Sequence, residues 1–306
     1  MLPASVSGVR GWVSGVRSGL VEVLQLLLYG TLLGSIIALG AVGVTLTFGI
    51  LGFANFAHGD LMTLGAYVCF LIYTQLTLPF WLGVLAAVPA TIFAAMVIDR
   101  VLFRRFRQSR PIISLISSFG AALILRSLIQ IVWGTGTHMY SAQIVLAQRF
   151  HGIRYKWDQL GIILTTLGIV VALHLFLQRT KVGKAMRAMA DNPTLARLSG
   201  IDTERVILWT WVIGGGLAAL AGLFLAMDTR LQPEMGWFLL LACFAAAILG
   251  GVGKPMGAIA GGYIIGIMME LSTLVLPTEY SPVVPFAILV VLLLFRPTGL
   301  FAGRST

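Results

Sequence analysis

Residues 21–67 read VEVLQLLLYGTLLGSIIALGAVGVTLTFGILGFANFAHGDLMTLGAY. The run 21–50 is longer than the roughly 20 apolar residues that a bilayer-spanning helix needs. It gives way to a Gly-punctuated stretch carrying Asn55, His58 and Asp60, and apolar sequence then resumes. Glycine and polar side chains inside an otherwise spanning pattern predict a broken helix.

Further apolar runs cover about 58–78, 80–103, 111–133, 159–178, 204–227, 236–272 and 282–295, which with 21–50 makes about eight segments. Composition agrees: 58% of the 306 residues are hydrophobic, 10% are charged and the mean hydropathy is +0.96. These values exclude an ordinary soluble domain. The fold class expected is an all-α polytopic membrane protein with broken or re-entrant helices.

The net charge of +10 would point to nucleic acid in a soluble chain. Here the Lys and Arg residues fall between apolar runs, as they do in cytoplasmic loops, so they report topology rather than a nucleic-acid partner. The stretch 99–110 holds five Arg against Asp99, and 179–205 holds six basic residues against Asp191, Asp202 and Glu204. Both are expected inside, with the loop 134–158 outside and the C-terminus inside. Arg10 and Arg17 place the N-terminus inside as well. Residues 1–20 contain no signal-peptide core and read as a lead-in, 21–300 as one membrane domain, and 301–306 as a tail.

That assignment conflicts with parity in both halves, so one segment in each must break or re-enter. In the second half it is 236–272, whose centre reads ILGGVGKPMGAIAGG with Lys254 and Pro255. In the first it is the stretch from Phe48 to Tyr67. Each interruption is followed by one more span, 80–103 or 282–295, which reads as two weakly repeated halves.

Non-helical backbone at membrane depth must lie against protein or water, so both interruptions are interior elements. Asn55, His58, Asp60, Gly250, Gly251 and Lys254 are therefore pathway candidates. Two readings stand for the polar ones: contact with a solute, or capping of broken helix ends by Asn55 or Asp60. Lys254 reads equally as a partner of a helix end. Arg126 and Glu270, in or beside apolar runs, read as snorkelling or paired residues. Cys69 and Cys243 read as packing residues. The Gly30/Gly34, Gly257/Gly261 and Gly262/Gly266 pairs put small residues on one helix face and permit close helix approach.

Enzyme signatures are absent. Gly253-Lys254 is followed by Pro255 and preceded by Ile248 where a phosphate loop needs Gly. There is no HExxH, and His58, His138, His151 and His174 lack metal-ligand spacing. Energy for active transport must come from a partner or an ion gradient. The basic segment 179–203 predicts two short helices, broken at Asn192-Pro193 and ended by Gly200. It reads as a docking element or as an ordinary positive-inside loop.

The motifs LGFANFAHGDLMTLGAY (51–67), GKAMRAMADNPTLARLSGI (183–201) and ILGGVGKPMGAIAGGYIIG (248–266) resemble the LivH-type permease subunits of branched-chain amino acid ABC importers. They stand in the family's order and spacing, and the resemblance extends over all but the first twenty residues. It implies a bacterial inner-membrane permease with a second homologous permease, two cytoplasmic ATPases holding the ATP and magnesium, and a periplasmic solute-binding protein. No cofactor is expected in this chain. The resemblance makes 179–203 the segment that seats in the ATPase, with Gly183, Ala185, Arg187, Ala190, Ala196, Arg197 and Gly200 as coupling residues. Urea or amides remain alternative solutes within such a family. A secondary transporter or channel is the alternative class, against which stand the few midplane acids and the elaborate 179–203.

Overall fold

The computed structural model describes residues 4–107, 109–140, 148–150, 152–296 and 299–300, with side chains from Gly19 onward apart from Phe150. The tail 301–306 and part of the loop 134–158 lie outside the described residues.

Among the described residues, seven helices are long and apolar enough to cross a membrane, and a shorter apolar one joins them. Helix α1 (Ala4–Leu51) leads without a break from the N-terminal stretch into the first span, so the lead-in is continuous with it. Residues 52–56 interrupt the chain before α2 (Ala57–Phe70), which continues as a π-helical turn to Gln75. Helix α3 (Phe80–Ile98) runs through a second π-helical turn into α4 (Arg104–Phe106), and α5 (Pro111–Trp133) follows. The loop after α5 carries a small hairpin of β1 (Gln148–Phe150) and β2 (Ile153–Tyr155), paired antiparallel. Helix α6 (Trp157–Arg179) then leads to α7 (Lys181–Asp191) and α8 (Pro193–Leu198). The chain ends with α9 (Thr203–Asp228), α10 (Met235–Gly250), α11 (Pro255–Ser272) and α12 (Val284–Phe295).

The expected break in 236–272 is a sharp one. Gly251 and Gly253 adopt φ of 97° and 79°, the left-handed region that glycine enters without penalty, and Pro255 opens α11 where its missing N–H costs nothing. The 16 residues of α10 make a helix of about 24 Å, short for a crossing. The two helices fold back on each other as a hairpin, with Gly250 set against Gly257 and Gly261 against Ala246. One apolar run in the sequence is thus two antiparallel helices, and the eight apolar segments correspond to α1, α2, α3, α5, α6, α9, α10, α11 and α12.

This hairpin resolves the second-half parity. Its turn lies at the Arg-rich end, where Leu300 N donates to Leu249 O at 2.8 Å and Gly299 meets Gly251. With α9 leaving that end, α10 returning, α11 leaving and α12 returning, no re-entrant segment is needed.

The first half is resolved by a correction. Helix α1 is antiparallel to α11, with Gly30 against Ile267, Gly34 against Tyr263 and Gly49 against Gly253. Gln25 exchanges hydrogen bonds with the backbone of Arg154, at 2.7 and 2.6 Å. The start of the membrane span in α1 therefore lies beside the hairpin loop, at the end opposite the Arg-rich one, and Arg10 and Arg17 do not set it inside. Local charge bias lost to packing: the glycine seam between α1 and α11 permits a close backbone approach in this orientation. Helices α1, α2 and α3 and helices α10, α11 and α12 then run in the same alternation of directions, each set breaking at the Arg-rich side of its first pair.

The core is formed by α1, α2, α9 and α10, whose facing positions are small. Gly65 lies on Ala219, Gly222 on the backbone of Met62, and Gly236 on Gly59. Cys69 and Cys243 are buried free thiols inside it. Helices α3, α5, α6 and α12 form the outer wall and expose apolar faces, among them Leu164, Leu167 and Val171 of α6, as lipid contact requires.

Candidate functional site

The first interruption is held by protein. Ser118 of α5 accepts from Phe56 N at 3.1 Å and lies 3.3 Å from Ala54 O. Phe53 packs on Phe103, which stacks on Trp211 with planes 3° apart. Asn55 Oδ1 accepts from Ala57 N at 3.1 Å, an Asx turn that leads into α2, whose N-cap position is Phe56. Asn55 Nδ2 is buried and has no hydrogen-bond partner among the described residues.

His58 is buried with its ring set against Gly43. A side chain at Gly43 would collide with that ring, which explains glycine there.

Asp60 caps nothing. Its two oxygens accept from Nε and Nη2 of Arg126 at 3.0 and 3.1 Å, the bidentate fork for which guanidinium is suited. Asp60 is fully buried and the Arg126 side chain is 16% exposed. The Arg126 guanidinium lies 5.1 Å from the ring centroid of Trp237. Trp237 in turn belongs to a cluster with Phe56, Phe119 and Phe244, whose ring centroids lie 5.3–6.3 Å apart. Sequence alone marks both charges without pairing them. The rule that would have joined them is that an ionised group at membrane depth needs an opposite one.

The second interruption is satisfied differently. Gly253 N donates to Thr45 Oγ1 at 2.9 Å. Gly250 and Gly251 are buried in the turn, and Lys254 is exposed as the residue preceding α11. The structure does not bring Gly250, Gly251 and Lys254 together with Asn55, His58 and Asp60. The first three lie at the Arg-rich end beside α7, while the Asp60–Arg126 pair lies deeper.

The segment 179–203 forms the two helices that its sequence predicts. Thr180 and Asn192 cap α7 and α8, accepting from Gly183 N and Leu195 N at 2.9 Å each. Gly200 ends the unit at φ 82°. Gly183 is pressed on the backbone of Phe176 and Leu177, and Ala196 is buried. Ala185 and Ala190 are half-buried, and Arg187 and Arg197 are exposed. Met186, Arg187 and Ala190 border a small recess shared with Thr45, Gly49 and Gly253. Asp99 and Glu204 both accept from Arg107 and fix the Arg-rich ends of α3 and α9 to one another.

A chain with this helix order, two breaks and an amphipathic helix pair at one end can be compared with known proteins. Residues 26–293 match the family described as branched-chain amino acid transport system / permease component. The chain belongs to this family. The high-affinity branched-chain amino acid transport system permease protein LivH of Escherichia coli (strain K12) is 36% identical, with 92% of this chain and 96% of that one covered. BraD of Pseudomonas aeruginosa is 33% identical over the same shares. The probable branched-chain amino acid transport permease protein LivH of Methanocaldococcus jannaschii is 32% identical, covering 90% and 92%. Among solved structures, PsaBC from Streptococcus pneumoniae in complex with Fab matches with a TM-score of 0.52 and 16% identity over 90% of this chain and 92% of that chain, which shows a shared fold. The family permease is thus a multi-pass protein of the bacterial inner membrane, and its helices are transport machinery.

Proposed function

We propose that this permease forms one half of a pathway for branched-chain or related amino acids, pairs with a second homologous permease, and is driven by two cytoplasmic ATPases, with solute delivered by a periplasmic binding protein. The observation that carries the reading is the two-sided character of α7 and α8. Their outer side exposes Arg187, Arg197, Leu195 at 61% and Leu198 at 80%, an apolar and cationic surface suited to a protein groove. Their inner side sets Met186 and Ala190 against the end of α1 and the Gly253 turn. A push on α7 therefore acts on both interrupted elements at once. ATP and magnesium are expected in the partner subunits.

The test is uptake of L-leucine with simultaneous ATP hydrolysis in proteoliposomes holding the complete complex. Arg187→Glu and Gly200→Trp are expected to lower both. Unchanged uptake and hydrolysis in both variants would remove 179–203 from the coupling role.

A further inference from the structure

Arg126 follows about 22 Å of helix from the start of α5, well within the depth of a bilayer, on a helix whose neighbouring outward positions Leu123, Ile124 and Leu128 are exposed. A guanidinium at that depth does not face hydrocarbon; charged side chains in spans face protein or a water-filled cavity. The lipid-type face of α6, with Leu164, Leu167 and Val171, offers nothing comparable. Asp60 neutralises Arg126 from the buried side, through Nε and Nη2. The Nη1 hydrogens hold no hydrogen bond among the described residues. Trp237, half-buried and 5.1 Å from the guanidinium, joins it to the rings of half-buried Phe56 and Phe244 and of Phe119, which is 42% exposed. The result is a partly exposed aromatic cluster joined through Trp237 to a charge-balanced donor.

We infer that this cluster lines a passage site for an aliphatic α-amino acid: Arg126 Nη1 donates to the solute carboxylate, and Phe56, Phe119 and Phe244 take the aliphatic side chain. The inference rests on the permease reading. Its physical logic lies in the ion pair. A lone buried Arg would hold a carboxylate too long for turnover, whereas a guanidinium already shared with Asp60 offers a weaker hold, and a transport site must release what it binds. The aromatic wall adds apolar contact that does not depend on the shape of one side chain.

The experiment uses the complete complex with its ATPases, second permease and binding protein in proteoliposomes, with L-leucine as probe. The first measurement is leucine moved per ATP hydrolysed for the double variant Asp60→Asn/Arg126→Gln, which replaces both charges by neutral amides. Loss of a charge-assisted contact is expected to lower the ratio by about tenfold, with Arg126→Lys falling between. A double variant at the wild-type ratio overturns the inference. The second measurement does not depend on that variant's assembly. Phe119→Cys is exposed to an impermeant anionic thiosulfonate; Cys69 and Cys243 are buried and give little background. Modification that slows when leucine is present during turnover supports the site, and an unreactive or unprotected thiol overturns it. A wild-type complex whose leucine uptake needs no ATP would instead sink the permease reading, which separates the two failures.

Discussion

Thr45 Oγ1 accepts a hydrogen bond from Gly253 N at 2.9 Å, joining the last turns of α1 to the turn between α10 and α11. Gly49 lies alongside, so close that a Cβ there would stand 2.7 Å from Gly253 Cα. Two elements distant in sequence thus meet at the Arg-rich end under α7. Thr45→Val keeps the shape and leaves the Gly253 N–H without its acceptor, at a cost of about 1–3 kcal/mol. Thr45→Ser keeps the acceptor. A lower thermal midpoint for Val with recovery in Ser is expected by fluorescence-detected unfolding in detergent; equal midpoints for wild type and Val would mean that the bond contributes nothing.

The seam between α1 and α11 predicts a different contrast. A side chain at Gly266 would strike the backbone of Gly34, whereas Gly168 on the outer wall has open space around its Cβ position. Gly266→Leu is expected to abolish accumulation of folded protein. Gly168→Ala should match wild type or exceed it, because Ala is favoured over Gly in a helix interior by up to about 1 kcal/mol. Membrane yield and monodispersity on size exclusion read both outcomes.

The Asp60–Arg126 pair makes a prediction about stability that is independent of what it binds. Removing one partner leaves a buried charge uncompensated, at about 3–5 kcal/mol, while removing both is far milder. Asp60→Asn and Arg126→Gln should each lower the unfolding midpoint more than the double variant does. Additive losses in this double-mutant cycle would show that the two side chains do not interact.

The membrane class, the breaks at 52–56 and 251–254, and the helix pair within 179–203 are all legible in the sequence, because hydropathy and glycine or proline chemistry act locally. Asn55 at a helix start is legible for the same reason. What was not legible depends on contacts far apart in the chain. Arg126 and Asp60 are separated by 66 positions, and nothing local pairs them. The 236–272 run reads as one apolar segment because hydropathy does not register a reversal of direction when the turn is only Gly251–Lys254. The orientation of α1 is decided by Gly30 and Gly34 against α11, a fit of surfaces that outweighs two arginines near the N-terminus.

That orientation can be tested directly. Exposed Glu22 lies three residues from Gln25, whose bonds to Arg154 fix it beside the β1–β2 hairpin, whereas exposed Lys184 lies on α7. In intact spheroplasts, Glu22→Cys is expected to react with an impermeant maleimide and Lys184→Cys to react only after the membrane is permeabilised. The reverse pattern would invert the whole molecule and contradict the Lys and Arg bias at 99–110 and 179–205. Protection of both sites, or reaction of both, would break the placement of α1 against α11, because an antiparallel pair with the Gly49–Gly253 contact at one end puts Glu22 and the α7 end on opposite sides of the bilayer.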